Sequence, residues 1–134
     1  MKVNIKKTHQ NAKMPIYATD GAGCFDLFAA SQEDLNTYDT GLAFDIPEGH
    51  VMLVFSRSSV GFKYNATLAN SVGVIDSDYT GSVKVKFNRS VPYVVGDRIA
   101  QAMIIPYNRV SFQFVDDLNE TKRGEGAFGS TWNK

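Results

Sequence analysis

The chain has 134 residues, a single domain's length, of which 43% are hydrophobic and 21% charged. Fourteen Lys and Arg balance fourteen Asp and Glu, so the formal net charge is zero; a protein held to nucleic acid by phosphate neutralisation is normally basic. The one cysteine, Cys24, forms no intrachain disulfide, Met1–Lys7 shows no apolar signal core, and no apolar run reaches membrane-spanning length. The expectation is a soluble cytoplasmic protein (a host's cytoplasm if the source is viral), with neither nucleic acid nor membrane as partner.

Turn signals arrive about every eight to twelve residues among aromatic and β-branched stretches, which predicts an all-β domain. Val3–Lys6 alternates. Gly41–Ile46 alternates and stops at Pro47. His50–Phe55 is nearly unbroken apolar sequence, the pattern of a strand buried on both faces. Ser58–Asn65 is the best helix candidate. Val83–Phe87 alternates cleanly, with apolar residues on one face and amines on the other. Arg98–Ile105 is mostly apolar and closes at Pro106. Val110, Phe112 and Phe114 share one face of a further expected strand. From Asp116 the periodicity is lost. The chain reads as a small antiparallel barrel or jelly roll over 1–115 with a mobile C-terminal arm over 116–134.

Five segments stand out from the strands. In Gly21-Ala22-Gly23-Cys24-Phe25-Asp26-Leu27 an acid sits between large apolar residues, and an Asp there ordinarily points to water. Ser56-Arg57-Ser58-Ser59 follows a strand and precedes the helix; a helix cap explains a serine, but not the arginine, which favours an anion site. Gly73-Val74-Ile75-Asp76-Ser77-Asp78-Tyr79-Thr80-Gly81 reads as a β-hairpin whose aspartates suit a turn. Gly96-Asp97-Arg98-Ile99-Ala100-Gln101 puts Arg98 and Gln101 in apolar surroundings, where each needs a partner. Arg123-Gly124-Glu125-Gly126-Ala127-Phe128-Gly129-Ser130-Thr131 could cradle phosphate with backbone N–H groups. It is no P-loop, because Ser130 stands where the lysine belongs and no strand precedes it. His9 and His50 lack metal-ligand spacing.

Taken in this order, the five segments resemble the five motifs of the trimeric dUTPase family, from about Ala18 to Thr131. GVIDSDYTG and RGEGAFGST carry most of the likeness. Cys24 and Phe25 fill the places of the family's Gly-Tyr, and Ala127 and Trp132 replace usual glycines. The resemblance implies a jelly-roll (β-clip) homotrimer whose sites combine motifs from three chains, with the 116–134 arm closing over a neighbour's site. It implies hydrolysis of dUTP to dUMP and pyrophosphate with Mg²⁺, limiting uracil in DNA and supplying dUMP for thymidylate synthesis.

The same resemblance assigns roles. Asp76 would orient and deprotonate the attacking water and bond the 3′-hydroxyl. Backbone groups of Gly73, Val74, Ile75 and the facing strand near Lys84 would read uracil, with Asn70 holding the pocket. Tyr79 would pack on the deoxyribose. Arg57, Ser58, Ser59 and Gln101 would take phosphate oxygens. Arg123, Gly129, Ser130 and Thr131 would close on the nucleotide, with Phe128 over the base. Asp26, with Gln101, would hold the waters of Mg²⁺, and Arg98 is read as a structural ion-pair residue. The rival on the same fold, a dCTP deaminase, uses a glutamate beside the cytosine amine; none lies between Glu48 and Glu120. A nucleotide- or protein-binding module on this fold is the alternative of another class, and a further protein partner stays open.

Overall fold

The computed structural model describes residues 1–129. Nine strands and one short helix are assigned among them: β1 (Asn4–Lys7), β2 (Phe25–Phe28), β3 (Ser31–Asp34), β4 (Thr37–Asp39), β5 (Leu42–Asp45), β6 (His50–Phe55), α1 (Ser58–Tyr64), β7 (Gly73–Ile75), β8 (Lys84–Lys86) and β9 (Arg98–Pro106). All ladders are antiparallel. A four-stranded sheet runs β2-β9-β6-β7, a three-stranded sheet β3-β4-β8, and β1 pairs with β5. This is the all-β domain that the turn spacing and alternation predict, with the jelly-roll architecture that the resemblance implies.

The alternation of Lys84-Val85-Lys86 becomes an exposed–buried–exposed strand. Val85 joins Phe87, Tyr38 and Leu27 in the core between the sheets. Tyr38 is wholly buried, and its hydroxyl donates to the carbonyls of Tyr93 at 2.9 Å and Val91 at 3.2 Å. Its ring meets those of Phe87 and Tyr93 edge-on. The polar tip is thus satisfied while the ring fills the core, which is what makes a buried tyrosine tolerable. The helix ends at Asn65, whose positive φ of 50° closes it in a left-handed turn.

Three expectations are corrected. His50–Phe55 is buried on one face only, through Met52 and Val54; the other face is half-covered. Its density of apolar residues reflects a position between β9 and β7 rather than enclosure on both sides. The limbs of the expected hairpin are not a hydrogen-bonded pair, since β7 pairs with β6 while β8 pairs with β4. The strand expected at Val110–Phe114 is absent. No strand or helix follows β9 over residues 107–129, where no described residue supplies a ladder partner for one. Two strands were not foreseen: β3 is polar throughout, and β4 is three residues long.

Candidate active site

β9 is the central strand that gathers the polar residues. Asp26 on β2 and Phe55 on β6 both lie opposite Gln101 in register. The Gln101 amide Nε2 donates to the Ser56 carbonyl at 3.0 Å, so it clasps the loop that leads into α1. Arg57 donates from Nη1 to the Arg98 carbonyl at 3.3 Å. Arg98 in turn places Nη1 3.4 Å from Oδ2 of Asp26. Asp26 does not point to water; it is only 9% exposed. Its charge is tolerated because a guanidinium faces it, as a buried carboxylate requires. Arg98 is the ion-pair residue the sequence suggested.

Arg57 occupies the N-cap of α1 and makes no side-chain cap bond. The capping explanation for Ser58 and Ser59 therefore falls: they are the first two residues inside the helix. Ser59 and Lys63, one turn apart, line a cavity of about 340 Å³ with Arg57, Tyr93, Asp97 and Arg98. The Tyr93 hydroxyl is buried and finds no hydrogen-bond partner among the described residues.

The splayed limbs β7 and β8 enclose a second cavity, of about 320 Å³, within the range of small-molecule sites. Asn70, Gly73, Val74, Ile75 and Lys84, which the resemblance assigns to one pocket, line it together; Val54, Leu68, Ala69, Val85 and Lys86 complete the wall and were not foreseen. Strand β7 is an edge of its sheet, and β8 is an edge of its own apart from the bond from Ala69 N–H to the Lys86 carbonyl. Edge strands carry unspent backbone donors and acceptors. A cavity between two edges can therefore read a flat polar ligand with main-chain groups alone. Gly73 lets β7 lie close to β6, because a Cβ there would stand 3.1 Å from that of Val54. The Lys84 amine is engaged elsewhere, 2.6 Å from Glu33, whose hydrogen bond and charge push its pKa up.

Between the limbs, the Tyr79 N–H donates to the Asp76 carbonyl at 3.1 Å, closing one turn with the exposed Asp76 at one end and Tyr79 at the other. The two cavities share no lining residue. Arg123 and Gly129 are exposed on the segment after β9, and the Phe128 ring is wholly bare. Ser130 and Thr131 lie outside the described residues. Among the described residues, no three His, Cys, Asp or Glu side chains gather as a metal cage. Asp26 and Gln101, opposite each other in register, would instead be the oxygen donors for coordinated water. That donor set fits a Mg²⁺ carried by a nucleotide's phosphates, the usual mode for this ion. No helix is long and apolar enough to cross a membrane among the described residues.

The fold thus carries one cavity edged by main chain and another lined by arginines. A model of the dUTPase family matches residues 10–132. The deoxyuridine 5′-triphosphate nucleotidohydrolase of Desulfitobacterium hafniense is 42% identical, over 98% of this chain and 95% of the relative. That of Hahella chejuensis is 38% identical, over 100% and 96%. Among solved structures, a mutant dUTPase of Staphylococcus bacteriophage 80alpha with dUpNHpp superposes with a TM-score of 0.81 at 24% identity, covering 96% of this chain and 97% of that one. A mutant dUTPase from phage phi11 of S. aureus, described with a structural Mg(II) ion, gives 0.73 at 22% identity, over 87% and 98%. The chain belongs to the dUTPase family, and its activity is the nucleotidohydrolase activity on dUTP that the family carries.

Proposed function

We propose that the protein hydrolyses dUTP to dUMP and pyrophosphate by Asp76-assisted attack of water on the α-phosphorus, at sites shared between copies in a homotrimer. The observation that carries this reading is the separation of the two cavities. The arginine-lined one suits phosphate and the edge-strand one suits a base, yet no residue belongs to both. Bringing a base cavity from one copy against a phosphate cavity from another would join the halves of one nucleotide. The arm over 116–134 would supply Arg123, Phe128, Gly129, Ser130 and Thr131 to a neighbour's site. An apolar hollow of about 500 Å³, lined by residues such as Val3, Ile5, Tyr17 and Phe25, supports association between copies.

Within such a site the chemistry is positional. Asp76 accepts a proton from water as its oxygen bonds to the α-phosphorus. The bond from that phosphorus to the bridging oxygen breaks, and pyrophosphate leaves. General-base assistance of this kind contributes about 10²- to 10⁴-fold, and fixed geometry supplies much of the rest. Arg57, Ser58, Ser59 and Gln101 would bind phosphate oxygens, and Tyr79 would exclude a 2′-hydroxyl from the sugar. Asp26 and Gln101 would hold waters of Mg²⁺. When bound, Mg²⁺ supplies charge neutralisation on the leaving pyrophosphate. Main-chain donors and acceptors of β7 and β8 left unpaired by the wrong base would reject it by about 10⁴-fold or more. The cellular consequence would be less uracil in DNA and a supply of dUMP for thymidylate synthesis.

The test is pyrophosphate release with Mg²⁺ from dUTP, dCTP, dTTP and UTP in parallel. Release from dUTP alone is expected. Asp76→Asn should lower kcat by about 10²- to 10⁴-fold with nucleotide affinity within a few-fold. Near-normal turnover in that variant would remove Asp76 from the water-activating role. Tight dUTP binding without release by the unaltered protein would favour a binding module instead.

A further inference from the structure

We propose that Gly81, Ser82 and Asp39 form a buttress that fixes Tyr79 and so sets how strictly the enzyme separates deoxyribose from ribose triphosphates. The inference rests on the sugar-facing role proposed for Tyr79. Tyr79 is 45% exposed and sits on a turn, so by itself its ring would sample several rotamers. A wall that swings aside excludes nothing. Sub-ångström steric rejection of one hydroxyl needs a side chain held by its surroundings.

The structure holds the ring at two points. Its hydroxyl donates to the Ser82 carbonyl at 2.8 Å. Its edge lies in the space a side chain at residue 81 would fill: a Cβ there would stand 2.5 Å from the tyrosine oxygen and 2.7 Å from Cζ. Gly81 is therefore the floor of the ring, and any larger residue must push the ring off it. Because the displaced atoms are the far end of a half-exposed side chain, Tyr79 would yield rather than the barrel.

The acceptor is itself anchored. The Ser82 hydroxyl donates to Oδ1 of Asp39 and accepts from the Thr8 hydroxyl at 3.0 Å. The same Asp39 oxygen accepts from the Gly41 N–H at 2.7 Å. The next residue, Val83, is buried; its N–H donates to the Leu42 carbonyl at 2.9 Å, and its carbonyl accepts from the Thr40 N–H at 3.0 Å and hydroxyl at 2.7 Å. Asp39 stands opposite Lys84, a residue of the base cavity. Tyr79 is thus tied through Ser82 to the wall that holds the base. Gly81, Ser82 and Asp39 touch no reacting atom in this account; they are positioning residues.

The experiment compares kcat/KM for dUTP and UTP in Gly81→Ala, Ser82→Ala and Asp39→Asn, with Tyr79→Ala as reference and dTTP as a base-selectivity control. Gly81→Ala should lower the dUTP-to-UTP ratio about tenfold, the effect of a methyl-sized misfit, with dTTP rejection unchanged. Ser82→Ala and Asp39→Asn should lower it less. Ser82→Ala keeps the proposal testable should Gly81→Ala not fold, which a thermal melt reports. A fall in dUTP turnover at a constant ratio in all three overturns the buttress. An unchanged ratio in Tyr79→Ala shows instead that the sugar-facing role is wrong, and the inference falls with it.

Discussion

The barrel and the segment that follows it use the same kinds of residue to opposite effect. Tyr38, Phe87 and Tyr93 interlock in the core. Phe112 and Phe114, in a stretch that alternates as cleanly as β8, are 92% and 105% exposed. The difference lies in partners rather than in pattern. β8 has β4 beside it and a second layer to bury Val85. Residues 107–115 have neither among the described residues. Alternation in a sequence reports burial in whatever assembly the protein forms, and an apolar stripe left bare in one chain points to a surface on another.

Truncation separates the two regions directly. A chain ending at Lys122 should keep the barrel's thermal transition yet lose activity by on the order of 100-fold or more, since site closure and orientation are worth that much. Full activity would make the residues after Lys122 dispensable. A smaller and more local effect separates the two kinds of aromatic. Phe87→Ala should cost about 3–5 kcal/mol at any protein concentration. Phe112→Ser should matter only where copies associate, so its Tm deficit should change with dilution. A deficit independent of concentration would mean that Phe112 packs on its own barrel. The smallest effect concerns Cys24. Burial, and after it the Asp26 charge, push the Cys24 thiol up from 9.0, so less thiolate is present at neutral pH. Alkylation by iodoacetamide should be slower than for free cysteine and should rise later along the pH scale. Asp26→Asn should speed it, and an unchanged rate would show that the carboxylate does not reach the thiol.

Much of this was legible before the structure. Val83–Phe87 announces itself by alternation, Arg98–Ile105 as a mostly apolar run, and Ser58–Asn65 as the best helix candidate. The residues of the base cavity were legible as a segment but not as a shape. GVIDSDYTG looks like a hairpin because nothing local says that its limbs belong to different sheets; long-range pairing with β6 and β4 decides that. Asp26 looks like a surface acid until Arg98, far along the chain, is folded against it. Val54, Leu68 and Lys63 carry no chemical signature and enter the cavities only through topology. Gly81 and Ser82 pass for ordinary turn residues, and their relation to Tyr79 exists only in three dimensions. Polar β3 was missed because its ladder owes nothing to a hydrophobic face.

The separation of the base and phosphate cavities has a genetic consequence. In the proposed trimer a copy damaged in one cavity spoils one site, whereas a copy damaged in both spoils two. Mixed expression of sound chains with chains faulty in both cavities would then depress activity further than gene dosage alone, whereas chains faulty in one cavity would follow gene dosage.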